Sequence, residues 1–368
     1  MGIKHTKTEA LITDYSKVKI PKDYTLIKMG TYNVNLKNTI NIDNKIKEIT
    51  AYITNNYKKK NLDIINLQGF YDTYSLYVLI RELKQYYAKH KQKIYFGPKF
   101  DNIEACKSTS NSAIPTPRTM IDMSFHSSGL GGGNYGSSNE NTNKKLIHNI
   151  IISKYPIIST IYSELDDKTD MDDILGIQSV IGANILIGNT IISVYNTCLS
   201  KDIKTANIIN SSVRTTELDT LIEIIEANKS KLGETNFTKY DKSDVHLIAG
   251  SIHINETDKE GINKEYADLV TNKKCIDIFR YLHSTDPGYT TAYKERMNYI
   301  FLNLTDDIYD KNEIMCETFK GIKSSDQLFN LIFKRYSIYF LDSYVIKHGT
   351  NNTVIYYPVE CIFFIKSK

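Results

Sequence analysis

Tryptophan is absent from this sequence, and arginine occurs only at Arg81, Arg118, Arg214, Arg280, Arg296 and Arg335. Arginine supplies the planar fork that suits phosphate recognition, whereas lysine is a flexible point charge. With a net charge of +4 carried mostly by lysine, the chain does not read as a dedicated nucleic-acid binder. Nucleic acid remains a partner that the charge allows without indicating. No apolar run approaches the ~18 residues of a membrane-spanning helix, and no N-terminal apolar stretch reads as a secretory signal. The cysteines (Cys106, Cys198, Cys275, Cys316 and Cys361) are odd in number, scattered and without a C-x-x-C pair. That excludes a disulfide framework and points to reduced thiols in a cytosol-like compartment. The glycine cluster from Gly129 to Gly136 lacks the G-K-[ST] ending and the strand-to-helix frame of a phosphate loop. It reads as a surface loop.

What is present is an ordinary globular composition, 41% hydrophobic and 24% charged over 368 residues, enough for one large domain or two medium ones. Lysine, asparagine, isoleucine and tyrosine are abundant, a bias that an A+T-rich coding genome produces; a large DNA virus is one such source. The opening Met1-Gly2-Ile3-Lys4-His5-Thr6 fits the myristoylation pattern. One acyl chain binds a membrane only marginally, so Lys4, Lys7, Lys17 and Lys19 would have to add attraction to an anionic surface. Gly2 is therefore a lipidation candidate and a membrane surface a possible partner. The expected location is cytoplasmic or within a virus particle.

Residues 1–22 read as a polar arm, and residues 23–368 as one domain interrupted by a loop insertion at 101–146. Within the domain, Tyr24–Asn35 reads as a strand. Residues 42–58 carry Ile46, Ile49 and Ile53 at helical spacing. Residues 62–68 form a buried-strand run, and 73–90 return to helical periodicity through Leu76, Leu79 and Leu83. This alternation predicts an α/β protein. Strands follow at 147–153, 179–187 and 191–196, a long helix at 204–229, and further strands at 245–254, 298–304, 337–346 and 354–365.

The order of short motifs then becomes informative. Thr31-Tyr32-Asn33 is followed by Leu67-Gln68-Gly69, Ser153-Lys154-Tyr155-Pro156-Ile157 and Asn196-Thr197-Cys198-Leu199. Gly250-Ser251-Ile252-His253, Arg296-Met297-Asn298-Tyr299-Ile300 and Val354-Ile355-Tyr356-Tyr357-Pro358-Val359 complete the series. Over about residues 26–366 this resembles the endonuclease/exonuclease/phosphatase (deoxyribonuclease-I-like) superfamily. The family pattern runs T-x-N, L-Q-E, S-x-x-P-I, N-T-H-L, G-D-x-N, R-x-D-Y-I and S-D-H-x-P-V. The resemblance implies a four-layer α/β/β/α sandwich. It also implies, for an active member, a divalent metal that helps water attack a phosphoester.

The departures fall on the chemistry. Where the family's metal-holding glutamate would stand there is Gly69. The aspartate and asparagine that orient water and phosphate are replaced by Ser251 and His253. The histidine on the phosphoryl oxygens is replaced by Cys198. The final aspartate–histidine pair is replaced by Ile355 and Tyr356. Of the substrate-facing set only Asn33 matches. A hard cation needs oxygen ligands, preferably carboxylates, and catalytic residues act as a unit, so losing one or two central members costs about 10⁴–10⁶ in rate. The expectation is a non-catalytic relative without metal or cofactor, acting as a structural or scaffold component with protein partners. One competitor is a module that still binds nucleic acid or a phosphorylated ligand without cutting it. Another is a metal-dependent phosphodiesterase with a rebuilt site.

Individual residues carry plainer readings. Asn33 is expected to bond nearby backbone, and His253 to fill the former cleft rather than act as a relocated base. Cys198 and His253 should lie close together, yet two ligands do not make a tetrahedral zinc site. Asp277, His283 and Glu295 are expected on the solvated surface. Tyr299, Tyr336, Tyr339 and Tyr344 are expected to be half-buried sheet residues.

Overall fold

Parallel strands cannot be joined by a tight turn, so each parallel pair needs a long crossover connection, most often a helix. Two such units organise the chain in the computed structural model, which describes residues 22–36, 41–54, 62–98, 148–165, 178–202, 211–234, 241–258, 261–283, 286–304, 338–346 and 356–367. In the first unit, strand β1 (Tyr24–Asn33) leads through helix α1 (Ile42–Thr54) to the parallel strand β2 (Ile64–Gln68). In the second, β7 (Thr190–Cys198) leads through the long α3 (Ser211–Glu234) to the parallel β8 (Asp241–Ser251).

Each parallel pair lies at the centre of a six-stranded mixed sheet. Around β1 and β2 the order is β13 (Ile338–Val345), β14 (Val359–Lys366), β1, β2, β4 (Ile150–Ser153), β3 (Tyr95–Gly97). Around β8 and β7 it is β11 (Cys275–Asp277), β12 (Asn298–Asn303), β8, β7, β6 (Ser179–Ile187), β5 (Ile157–Glu164). A short hairpin, β9 (Thr257–Asp258) and β10 (Gly261–Ile262), precedes α4 (Lys264–Thr271), and α5 (Ile278–Leu282) follows β11.

The layers follow from two periodicities. Along β8, Val245, Leu247 and Ala249 join the core between the sheets, while Ile248 faces the opposite way. Ile300 and Leu302 of β12 likewise point inward, and Tyr299 and Phe301 outward. The outward set is covered by Leu218, Leu221 and Ile225 of α3 and by Tyr266, Leu269 and Val270 of α4. On the other sheet, Ile46, Ile49 and Ile53 of α1 pack with Leu76, Leu79, Ile80 and Leu83 of α2 (Thr73–Lys89). Asp72 caps α2, accepting a hydrogen bond from the Ser75 N–H at 2.6 Å. The result is the four-layer α/β/β/α sandwich that the motif order implied.

Boundaries differ from the sequence reading in informative places. The strand expected at 245–254 stops at Ser251, because His253 takes a left-handed backbone (φ 57°) that ends the ladder. Helix α3 continues to Glu234, five residues past its expected end. Strand β5, the 257–262 hairpin and helices α4 and α5 were not anticipated, being short or without clean periodicity. Gly2, Lys4, Lys7, Lys17, Lys19, Cys106, Cys316, Tyr336, Ile355 and the insertion at 101–146 lie outside the described residues. No helix among the described residues is long and apolar enough to cross a membrane.

Candidate functional site

The C-terminal ends of β1, β2, β7 and β8 meet on one edge of the sandwich. Asn33 pairs with Gln68 across the first parallel pair, and Cys198 with Ser251 across the second; Asn298 starts the strand beside Ser251. Residues scattered from 33 to 298 are thereby gathered into one cleft.

A row of neutral side chains crosses its floor. Asn33 Nδ2 donates to Ser251 Oγ at 2.9 Å, and Ser251 Oγ donates to Asn298 Oδ1 at 2.6 Å. Asn298 Nδ2 then donates to the Tyr357 carbonyl at 3.1 Å. Asn33 Oδ1 accepts the Asn35 N–H at 3.0 Å, so the bond to nearby backbone expected for Asn33 is present. Each member of the row thus has a hydrogen-bond partner. Asn298 belongs to it although sequence reasoning had not singled it out; the available signal was its place at the aspartate of the family's R-x-D-Y-I motif.

Gly69 sits directly against this row with φ +84°. A Cβ at this position would lie 2.5 Å from Asn33 Oδ1 and 2.7 Å from the Asn35 backbone nitrogen. The chain past Asn33 folds across Gly69 and is pinned there, Val34 N to Gln68 O and Leu36 N to Gly69 O, both at 2.9 Å. The place of the expected metal-holding glutamate is therefore sterically closed as well as chemically empty. A hard divalent cation does not fit the surrounding set of asparagine, glycine, cysteine, serine and histidine side chains. Among the described residues, no three His, Cys, Asp or Glu cluster to hold a metal ion.

Cys198 and His253 come together as expected, with Sγ 3.6 Å from Nε2. Burial pushes the thiol up to about 12, and Glu217 adds to the shift. Burial, then Lys201 and Arg214, push the imidazole down to about 3. Both groups are thus neutral near pH 7, so a thiolate–imidazolium pair is absent. His253 Nδ1 is buried without a hydrogen-bond partner. The Tyr356 ring meets the imidazole edge-on at 6.1 Å, and its hydroxyl accepts from Lys201 Nζ at 3.0 Å. Tyr71, on the other wall, contacts His148 ring to ring at 5.7 Å. Lys201, Tyr71 and His148 carry no motif signal and were not foreseen.

Lys201 is held from behind. Ser200 offers its N–H and hydroxyl to Glu217 at 2.8 and 2.7 Å, and its carbonyl accepts from Arg214 at 3.1 Å. Arg214 also clamps Asp202 and Glu265 at 2.6 and 2.7 Å.

The motif residues that this chain retains have other work. Gln68 Nε2 donates to Asn196 Oδ1 at 2.7 Å, and Asn196 Nδ2 donates to the Leu67 and Ile150 carbonyls at 2.9 Å each. These bonds tie one sheet to the other. Gly250 admits no side chain, because a Cβ would collide with the Thr197 carbonyl oxygen. Gln68, Asn196 and Gly250, which match, hold the sandwich together; Gly69, Cys198, Ser251, His253 and Tyr356, which depart, lie at the cleft with the matching Asn33.

One expectation is corrected. Asp277 is not a solvated surface residue: it is fully buried, paired with Arg296 at 2.5 Å, and accepts the Tyr266 hydroxyl at 2.7 Å. Arg296 lies over Phe279 and Tyr299, and Glu256 pairs with Arg280 and, at 3.5 Å, with Arg296. His283 is partly exposed and bonds Asp342 at 3.0 Å. These groups form a cluster of their own beside the cleft, and Glu295 bears on the cleft through its charge near Tyr356. Three described arginines are consumed in buried ion pairs. Tyr299 is fully buried, Tyr339 stacks on Phe364 at 4.8 Å, and Tyr344 donates to Glu360 at 2.7 Å.

Acid is expected to loosen the fold through two buried histidines. His246, against Tyr195, is pushed down to about 3 by burial and then by Lys229, as His253 is by its own surroundings. Unfolded, both protonate near 6.5. Below that pH the unfolded chain binds more protons than the folded one. Their neutral burial is harmless above about pH 6.5, and each then costs up to about 1.4 kcal/mol per pH unit on the way down toward 3. Urea titrations between pH 7.5 and 4.5 should show the midpoint falling, and His246→Gln should flatten the slope. A midpoint independent of pH contradicts this account.

Compared by sequence, the chain matches no family model and no curated protein. Compared by structure, it is similar to beta toxin from Staphylococcus aureus, with 15% identity and a TM-score of 0.51 over 91% of this chain and 99% of that one. It is also similar to D. rerio TDP2 complexed with single-strand DNA product, with 12% identity and a TM-score of 0.50 over 92% and 99%. For SmcL the values are 14% and 0.50 over 92% and 99%. The likeness is one of fold.

Proposed function

We propose that this chain, which carries the deoxyribonuclease-I-like fold of the endonuclease/exonuclease/phosphatase proteins, has given up phosphoester chemistry and serves as a structural or scaffold component. The observation that carries this reading is the cleft floor. Asn33, Ser251 and Asn298 satisfy one another, Gly69 leaves no room for a ligand side chain, and among the described residues no carboxylate joins them. The described residues thus offer no anionic donor set to seat a hard cation or hold an attacking water. His253, held far below the usual imidazole range by burial and by Lys201 and Arg214, is only a weak base.

Incubation with magnesium or manganese and either bis-p-nitrophenyl phosphate or single-stranded DNA should give background hydrolysis, unchanged by EDTA. An active member of such a family would exceed this by about 10⁴–10⁶. EDTA-sensitive cleavage that His253→Ala abolishes would establish a rebuilt site and end the non-catalytic reading. If acylated at Gly2, the scaffold would act at a membrane surface, which mass spectrometry of the N-terminus checks.

A second reading, a cleft that binds a phosphorylated ligand or nucleic acid without cutting it, draws on Lys201 and Tyr356 at the rim. It requires binding at low salt that weakens steeply as salt rises. Binding that Lys201→Ala leaves unchanged removes it.

A further inference from the structure

We propose that the cavity beside Arg296 is a binding pocket for a neutral carboxamide, the group that an asparagine or glutamine side chain of a partner protein presents. The pocket is separate from the Asn33–Ser251–Asn298 row. It rests on the scaffold reading only in taking another protein as the source of the amide.

The ion pairs beside the cleft leave one donor over. Arg296 is 1% exposed, and its guanidinium is held between the Phe279 and Tyr299 rings, 4.9 and 4.5 Å away. Nη2 donates to Asp277 at 2.5 Å. Nη1 turns to Glu256 Oε2 at 3.5 Å, outside the usual range of about 2.7–3.2 Å, and donates to no hydrogen bond among the described residues. A buried guanidinium nitrogen without an acceptor is costly, and the packed rings keep it from swinging away. Beside it lies a cavity of about 290 Å³, lined by Asn255, Glu256, Thr257, Arg280, Tyr289 and Arg296, with Pro287. That far exceeds the ~10–15 Å³ that admits one water. Thr257 and Pro287 are exposed, so the mouth opens to solvent.

The lining selects the occupant. Arg280 and Arg296 are balanced by Glu256 and Asp277, so a carboxylate or phosphate entering the pocket would be opposed by Glu256. A cation would be opposed by the two arginines. An apolar group would leave Nη1 without an acceptor. What fits is a neutral group that accepts from Arg296 and donates to Glu256 beside it. A carboxamide presents an acceptor oxygen and a donor nitrogen side by side, and the 3.5 Å between Nη1 and Glu256 Oε2 lets one such group engage both. Tyr289 and Pro287 offer apolar wall to the stem that carries it. Tyrosine and arginine are also enriched among the residues that dominate protein–protein interfaces, which favours a partner's side chain over a free small molecule.

The test uses the full-length protein and three probes that share their backbone amides: the N-acetyl, N-methylamide derivatives of glutamine, glutamate and leucine. Binding is read by calorimetry and from the Arg296 side-chain resonances. The glutamine probe should bind at least ~10-fold more tightly than the other two, a difference of about 1.4 kcal/mol. Thr257→Trp, which fills the mouth from an exposed position, should abolish this binding and leave the urea midpoint unchanged. Glu256→Gln removes the opposing carboxylate, so preference should turn to the glutamate probe. Equal binding of the three probes, a wild-type preference for glutamate or leucine, or no detectable binding overturns the proposal, and none of these readouts needs a variant to fold. So does undiminished binding to Thr257→Trp or an unchanged ranking in Glu256→Gln. Magnesium-dependent hydrolysis in the earlier assay would sink the non-catalytic reading without altering the ranking of the probes, so the two failures are distinguishable.

Discussion

Replacing Gly69 by glutamate, the residue that would restore the family motif, is expected to yield no magnesium-dependent hydrolysis and to lower stability by about 2–4 kcal/mol. Two penalties add. A φ of +84° suits glycine and strains any residue with a Cβ. The new Cβ would also press into Asn33 Oδ1 and the Asn35 backbone, so the turn beyond β1 must move. That turn is fastened by backbone bonds from Val34 and Leu36 to Gln68 and Gly69, and shifting it disturbs the Asn33–Ser251 bond. Gly69→Ala separates the causes, because it carries the Cβ without the carboxylate. It should lose most of the stability that Gly69→Glu loses. Urea unfolding of both variants, beside a hydrolysis assay with magnesium, reads both halves of the expectation. A Gly69→Glu protein as stable as wild type, or one that cleaves a phosphodiester, would mean that the site is open and needs only its ligand.

Removing one member of the Asp277–Arg296 pair should cost more, about 3–5 kcal/mol, because the remaining charge is left buried and uncompensated. Arg296 is 1% exposed and Asp277 fully buried, so water cannot take over for either. Arg296→Met keeps much of the stem that packs between Phe279 and Tyr299 but strands the carboxylate. Asp277→Asn keeps the shape and the cap that receives the Arg280 N–H, yet halves the compensation of Arg296, leaving Glu256. The double variant should cost less than the two single losses together, since removing both charges abolishes the penalty of an unpaired one. Strict additivity in a double-mutant cycle would show that the pair contributes only as packing. The effect should reach the cleft as well. Arg296 lies two residues before Asn298, and the intervening loop is pinned by Thr290 to Met297 and Asn298. Slackening there should expose the Asn298–Ser251 bond to exchange.

Much of the architecture was legible in the chain itself. Isoleucines spaced three and four apart marked α1, short strand-like runs marked the strands around Gly250 and Tyr299, and seven short motifs in order identified the sandwich. The departures from the motifs were legible too, because a missing carboxylate at a motif position is a local fact. Asp277 was misread for the converse reason. A carboxylate in a sequence looks solvated by default, and only the approach of Arg296, Tyr266 and the Arg280 backbone makes burial affordable. Asn298 was visible but unremarked, since asparagine for aspartate changes charge while preserving shape.

What sequence alone determined, then, was periodicity, motif order and which motif positions lack a carboxylate, all properties of residues near one another along the chain. Tertiary structure alone decided that Gly69 is walled in by Asn33 and Asn35 and that Ser251 joins Asn33 to Asn298. Those outcomes depend on strands separated by tens to hundreds of residues meeting at one edge. A local pattern encodes which face of an element is apolar, but distances between side chains are set only when the two sheets pack.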